Sequence, residues 1–208
     1  TYGPIGIEHT LKAVKNHPHM RAKLKKNQGR GVACGFWFNI GGQTCTDLNI
    51  GEDGSVNLTV GTVDVGGARS SLAMIAAEEL GIPYDKVKTS IGDTKSLGHN
   101  DMTEGSRGTF SSGMATIYAA REAIGVLKQR AAQTWGIPEE DVIWENGQAI
   151  ATGKRHSNLP PLSLAEIAAK AGRTGGPIAG HNEVVADGAG MGFASHICDV
   201  EVDPETDR

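Results

Sequence analysis

Two glycine-rich segments hold the residues whose types and spacing suit chemistry, and that chemistry is anion binding. The first runs Gly61-Thr62-Val63-Asp64-Val65-Gly66-Gly67-Ala68-Arg69-Ser70-Ser71, between a strand-like and a helix-like stretch. Main-chain N–H groups at a helix start have no intrahelical acceptor, and the helix dipole adds positive potential there. Gly66 and Gly67 would let a phosphate approach the chain closely, and Arg69 would add charge. Taken alone, this segment reads better as a turn that only links strand to helix. It has neither the lysine of a nucleotide P-loop nor the spacing of a dinucleotide fingerprint. The second segment, Thr103-Glu104-Gly105-Ser106-Arg107-Gly108-Thr109, repeats the design and again precedes a helix. Two such loops favour a pyrophosphate-bearing cofactor held between them, because an arginine fork and backbone amides both match phosphate oxygens.

Other side chains offer less. His9, His17, His19, His99, His156, His181 and His196 show no metal-ligand spacing on a single helix, which points to surface or hydrogen-bonded roles. Asp64 and Glu104 lie near the two loops, where capping a turn is the readier role for a carboxylate than acid–base work. Cys34, Cys45 and Cys198 form no close pair, which argues against a disulfide framework or a zinc site and fits a reducing, cytoplasmic setting. Cys34 and Cys45 fall on expected strands, as small buried hydrophobes.

The elements that must position these loops are mixed. The 208 residues carry 29 glycines, an excess that implies many tight turns, within otherwise ordinary globular composition. A net charge of −4 supplies no field for nucleic acid. The basic run Lys23, Lys25, Lys26 and Arg30 reads as a solvated face, and no apolar stretch is long enough for a transmembrane helix.

A short helix through Leu11 and Val14 should break at His17-Pro18, and residues 31–40 read as a buried strand. Residues 46–63 predict a hairpin folded at Asp53-Gly54. A helix capped by Ser70 or Ser71 should stop at Gly81-Ile82-Pro83 and be followed by a strand over 87–91. A long helix with the stripe Ile117, Ala120, Ile124, Leu127 and Ala131 should stop at Gly136-Ile137-Pro138. The repeated Gly-Ile-Pro, each time followed by a valine (Val87, Val142), suggests a repeated helix–stop–strand unit. Asn146-Gly147 turns a second hairpin, and Ser163 with Glu166 forms a capping box for a helix running to about 172. A flexible connection over 172–180, strands over 181–186 and 194–202 separated by a loop over 187–193, and a terminal turn complete the chain.

These elements predict an α+β (mixed α/β) fold with helices on mixed sheets. They divide into an N-terminal segment (1–30), a glycine-loop region (31–151) and a further region (152–208).

The ordered set Arg30-Gly31-Val32-Ala33, the Asp53-Gly54 hairpin, Gly61-Thr62 to Gly66, Glu79-Leu80-Gly81-Ile82-Pro83, Gly92-Asp93-Thr94, Gly105-Ser106-Arg107 and Val200-Glu201-Val202-Asp203-Pro204-Glu205-Thr206 resembles the molybdenum hydroxylases, the xanthine dehydrogenase, aldehyde oxidoreductase and carbon monoxide dehydrogenase large subunits. The resemblance implies an internal piece of a molybdopterin-binding subunit, inactive alone. It further implies a molybdenum pyranopterin, commonly in its cytosine dinucleotide form, and a reaction that hydroxylates an aldehyde or N-heteroaromatic carbon. The partners would be the remainder of the subunit, with iron–sulfur and flavin centres elsewhere. Gly66, Gly67 and Ala68 fall where the family's first cofactor loop usually reads Gly-Gln-Gly, and Gly105, Ser106 and Arg107 fall in the second. Together with Arg69 and Thr109 they form the candidate cofactor site. Gly67 and Ala68 depart from the family pattern, and the family's glycine–phenylalanine loop and late glutamate base have no counterpart, so no catalytic residue is assigned. A scaffold or subunit-interface domain of the same ancestry, and an unrelated anion-binding module, are the competing readings.

Overall fold

The computed structural model describes residues 6–188 and 191–206. Ala189 and Gly190 of the expected 187–193 loop, and the last two residues of the terminal turn, lie outside them. In chain order the elements are α1 (Ile7–Asn16), α2 (Pro18–Arg21), β1 (Gln28–Trp37), β2 (Gly42–Ile50), β3 (Val56–Val60), α3 (Ala68–Leu80), β4 (Val87–Ile91), α4 (Gly108–Trp135), β5 (Val142–Glu145), β6 (Gln148–Ala151), β7 (Leu162–Ser163), α5 (Leu164–Ala168), α6 (Ala171–Thr174), β8 (Ile178–Ala186) and β9 (Gly192–Glu201). This is the α+β architecture the pattern predicts. Two compact units result, residues 1–39 with 188–208, and residues 40–187. The 152–162 segment lies inside the larger one.

In the smaller unit β1 pairs antiparallel with β9 alone. β1 is therefore not the buried strand that its apolar run suggests: a two-stranded ribbon has little to cover its faces, and Phe36 and Trp37 stay 62% and 60% exposed. Cys34 is exposed for the same reason. Arg30 is not solvated either. It faces its cross-strand partner Asp199 through two 2.7 Å hydrogen bonds and donates to the carbonyls of Met20 and Ala22, fastening the end of α2.

In the larger unit a four-stranded sheet has the order β4-β3-β2-β8, with β3 and β4 parallel and the other pairs antiparallel. The connection from β3 to β4 is α3. Alternate residues of the hairpin, Leu48 and Ile50 against Val56, Leu58 and Val60, form the core with Leu72 and Leu80 of α3. Helix α3 begins at Ala68 with Gly67 as its N-cap, not at Ser70 or Ser71, because the left-handed glycine ends the loop two residues earlier. Both Gly-Ile-Pro stops behave as expected: Gly81 and Gly136 take φ +72° and +68°, and Val87 and Val142 bury on the following strands.

Asn146 and Gly147 turn the β5–β6 hairpin at φ +49° and +76°. The capping box is present, with the Ser163 N–H donating to Glu166 and the Glu166 N–H to Ser163 Oγ. The helix it starts is shorter than expected, since Lys170 leaves helical geometry and splits it into α5 and α6. The connection expected over 172–180 is taken up largely by α6 and the start of β8.

The buried side of α4 is built of small residues, Ala119, Ala120 and Ala123 among them, while Ile117 and Ile124 of the expected stripe are only partly covered. Small side chains bring α4 onto β8 closely enough that a Cβ at Gly180 would stand 1.9 Å from Ala119 O. Gly180→Val should therefore cost about 3 kcal/mol or more through overpacking, read as a lower urea midpoint at unchanged slope.

The Arg30–Asp199 pair gives a second expectation. Hydrogen bonds, from Arg30 foremost and also from His19, hold the Asp199 carboxyl at about 2. Its stabilising contribution is complete above the ordinary value of about 3.9 and is lost as pH falls through about 2. Amide exchange in β1 should accelerate more steeply from pH 4 to pH 2 in the wild type than in Asp199→Asn.

Candidate functional site

Strand direction brings the two glycine-rich loops together. β3 and β4 run parallel with Val60 opposite Ile91, so both finish at the same edge of the sheet. Residues 61–67 lead from there to α3 and residues 92–107 to α4. Gly92 N–H donates to Val60 O at 2.8 Å, the Thr62 and Thr103 hydroxyls lie 3.1 Å apart, and Val63 N–H reaches Thr103 Oγ1 at 3.4 Å. Asn100 presses on Gly61 so tightly that a Cβ there would fall 2.1 Å from its Nδ2.

Both loops carry two successive residues of positive φ, directly at the N-cap of α3 but one residue ahead of α4, whose N-cap Arg107 is right-handed. Gly66 and Gly67 take φ +65° and +81°, and Gly105 and Ser106 take +51° and +57°. A left-handed step costs a residue with a Cβ about 1–2 kcal/mol, so the surroundings must impose it on Ser106. Ile40 N–H donates to Gly105 O, and a Cβ at Gly105 would meet Ile40 at 2.7 Å, which makes glycine obligatory there. A Cβ on Gly66 or Gly67, by contrast, would meet nothing within 4 Å. That turn faces open space with its main chain uncovered. Ser106 and Thr109 are exposed, while Ala68 is buried under the start of α3.

The two arginines are placed differently from a phosphate fork. Arg69 Nε donates to Asp64 Oδ2 at 2.6 Å, and Asp64 Oδ1 accepts the Arg69 main-chain N–H at 3.1 Å. That N–H and the guanidinium hold the Asp64 carboxyl below the usual carboxylate range, so Asp64 caps its own loop as an anion. Arg107 is 1% exposed and donates to the carbonyls of Gly41, Gln43, Asp101 and Met102. It binds the 92–107 loop to the start of β2. At the start of α3 the ionised Asp64 already takes the Arg69 N–H, so what the loops offer an anion is the Gly66-Gly67 main chain, the main chain at the start of α4 and the hydroxyls of Ser106 and Thr109. The residues fit a group taken up chiefly by main-chain donors.

A neighbouring cleft of about 340 Å³ is lined by Gly61, Gly92, Asp93, Gly98 and Asn100 among others. The Lys95 and Ser96 amides hold Asp93 ionised, which disfavours a phosphate there. Sequence reading missed the Thr62–Thr103 bridge and the carbonyl cage around Arg107, since neither is local. It also missed the grouping of Cys45, His181 and Glu183, whose donor atoms lie within 4.8 Å of one another.

Residues 7–208 match the molybdopterin cofactor-binding domain family, and the chain belongs to that family. A nicotinate dehydrogenase polypeptide of Pseudomonas putida is 38% identical over 121 residues, which are 58% of this chain and 10% of that protein. The carbon monoxide dehydrogenase large chain of Hydrogenophaga pseudoflava is 34% identical over 100 residues, 48% of this chain and 12% of that one. Among solved structures, a Cu,Mo-CO dehydrogenase superposes with a TM-score of 0.74 at 23% identity, covering 94% of this chain and 26% of its own. Quinoline 2-oxidoreductase from Pseudomonas putida 86 gives 0.74 at 20%, covering 97% and 27%. The chain thus spans about a tenth of the first two relatives and about a quarter of the two solved chains. No helix among the described residues is long and apolar enough to cross a membrane.

Arg107→Met should take the guanidinium from four carbonyls, of which Gln43 O and Met102 O keep main-chain donors in Asp101 and Glu104, at about 1–3 kcal/mol for each buried group that loses its partner. The variant should unfold at a much lower urea concentration, whereas Arg69→Ala, at an exposed pair, should leave the midpoint nearly unchanged.

Proposed function

We propose that this chain forms one wall of the cofactor site in a molybdenum hydroxylase large subunit, with the 61–71 and 104–109 loops receiving the anionic tail of the pterin. The observation that carries this reading is the parallel β3–β4 pair, which starts both glycine-rich loops at one end of the sheet, where Thr62 and Thr103 meet. Family membership supports the molybdopterin, and the pyrophosphate of a cytosine dinucleotide form matches paired main-chain donors. In this reading Gly66 and Gly67 let the ligand reach the chain, Ala68 and Gly105 shape the two entrances, and Ser106 and Thr109 supply hydroxyl donors. Arg69 and Arg107 hold the loops in shape instead of pairing with phosphate.

When bound, the group supplies the redox chemistry that hydroxylates a substrate carbon with oxygen from water. The chain contributes binding and orientation and no acid, base or nucleophile of its own. The names of similar proteins, nicotinate dehydrogenase, quinoline 2-oxidoreductase and an aldehyde oxidoreductase, support an N-heteroaromatic or aldehyde substrate. Iron–sulfur and flavin centres would then lie on other domains or subunits, in a cytoplasmic enzyme. The internal commitment of both arginines favours the scaffold reading instead, and one experiment separates the two.

The protein that carries this chain, purified natively, should hold stoichiometric molybdenum and release cytidine monophosphate on acid hydrolysis. Gly66→Asp together with Ser106→Asp, which tolerate left-handed backbone and add negative charge, should lower the molybdenum content at least tenfold while circular dichroism shows the fold retained. Molybdenum absent from active wild-type protein, or undiminished in the folded double variant, would overturn the cofactor role.

A further inference from the structure

We propose a second metal site, for zinc or a similar divalent transition ion, on the sheet face formed by β2 and β8, with Cys45 Sγ, His181 Nε2 and Glu183 Oε1 as ligands. Register creates it. Antiparallel pairing sets Cys45 opposite Glu183 and Asp47 opposite His181, and the two-residue period puts all four side chains on one face. Cys45 Sγ lies 4.0 Å from His181 Nε2, and His181 Nε2 lies 3.7 Å from Glu183 Oε1. Zinc bonds of about 2.3 Å to sulfur and about 2.0 Å to nitrogen, at a tetrahedral angle, need a separation of about 3.5 Å. Two of the three separations are thus within about half an ångström of what such a set needs, and all three donors lie within 4.8 Å of one another.

The surroundings have the character of a ligand shell. Asp47 is hydrogen-bonded to His181 Nδ1, which orients the ring and leaves Nε2 to face Cys45 and Glu183, the arrangement in which a carboxylate supports a metal-bound imidazole. Cys45 is buried beneath Gly98, whose main-chain N–H donates to its sulfur and so favours the thiolate. A Cβ at Gly98 would come within 2.9 Å of both Cys45 Sγ and Glu183 Oε1, so glycine keeps the space above the ligands clear. A dication replaces the thiol proton, which passes to solvent, and any proton on Nε2. Glu183 and His181 are 69% and 53% exposed, so water completes the coordination from outside. Thiolate, imidazole and carboxylate together suit zinc and exclude magnesium or calcium.

Cobalt(II) chloride titrated into the metal-stripped full chain tests this. One equivalent should bind and give the ultraviolet thiolate-to-cobalt band with the intense visible bands of tetrahedral cobalt, and one equivalent of zinc should displace it. Cys45→Ser should abolish the thiolate band, Glu183→Gln should weaken binding at least tenfold, and Asp47→Asn should weaken it about 10–100-fold. Circular dichroism before metal addition identifies any variant that has failed to fold, and Glu183→Gln, at an exposed position, provides a folded comparison. Substoichiometric binding, a cobalt spectrum without the thiolate band, or affinity unchanged in folded Glu183→Gln would overturn the site.

Discussion

The hydrogen-bonded register between β3 and β4 is the constraint on which the larger unit depends. Strands joined by a tight hairpin must run antiparallel, so their ends and the loops that follow face opposite ways. Interposing α3 reverses that, and Val60 and Ile91 end together. The meeting of the two glycine-rich loops follows from this alignment, as the Thr62–Thr103 bridge shows. Ligand sites beyond the carboxyl ends of parallel strands are a general consequence of such crossovers.

Charge in the loops is spent inward. Arg107 gives up its solvation to hold four carbonyls of the irregular 92–107 segment and the start of β2, two of which also accept a main-chain N–H. Asp64 and Arg69 neutralise each other at the lip of the first loop. A surface designed this way discriminates by shape and by the direction of amide dipoles more than by net charge. Such a surface suits a large, partly uncharged ligand better than a free phosphate ion.

Features set by a few neighbouring residues were legible in the sequence. The Gly-Ile-Pro stops, the Asn146-Gly147 turn and the Ser163–Glu166 box depend on conformations a short stretch decides for itself, and each appears where its residue types require. The alternation of Leu48, Ile50, Val56, Leu58 and Val60 likewise reported the core side of the hairpin. Features set by pairing across the chain were not legible. The apolar run of β1 could not reveal that among the described residues it pairs with β9 alone, nor could Arg30 announce Asp199, 169 residues away. The intramolecular partners of Arg69 and Arg107 were hidden for a related reason: sequence shows that a guanidinium is near a loop, and not which acceptors the folded loop turns toward it. His181 gave no metal signal because its companions share a sheet face and not a helix.

The contact of α4 with Gly180 has a consequence for variation. At Gly180 the 28-residue helix rests directly on a strand's main chain, with no side chain between them to absorb a change of volume. Mutational drift along that seam is confined to exchanges among the smallest residues, while the open turn at Gly66-Gly67 has room for new side chains at the cost of backbone strain alone. New ligand preferences would therefore arise at the rim of this fold, leaving its spine unaltered.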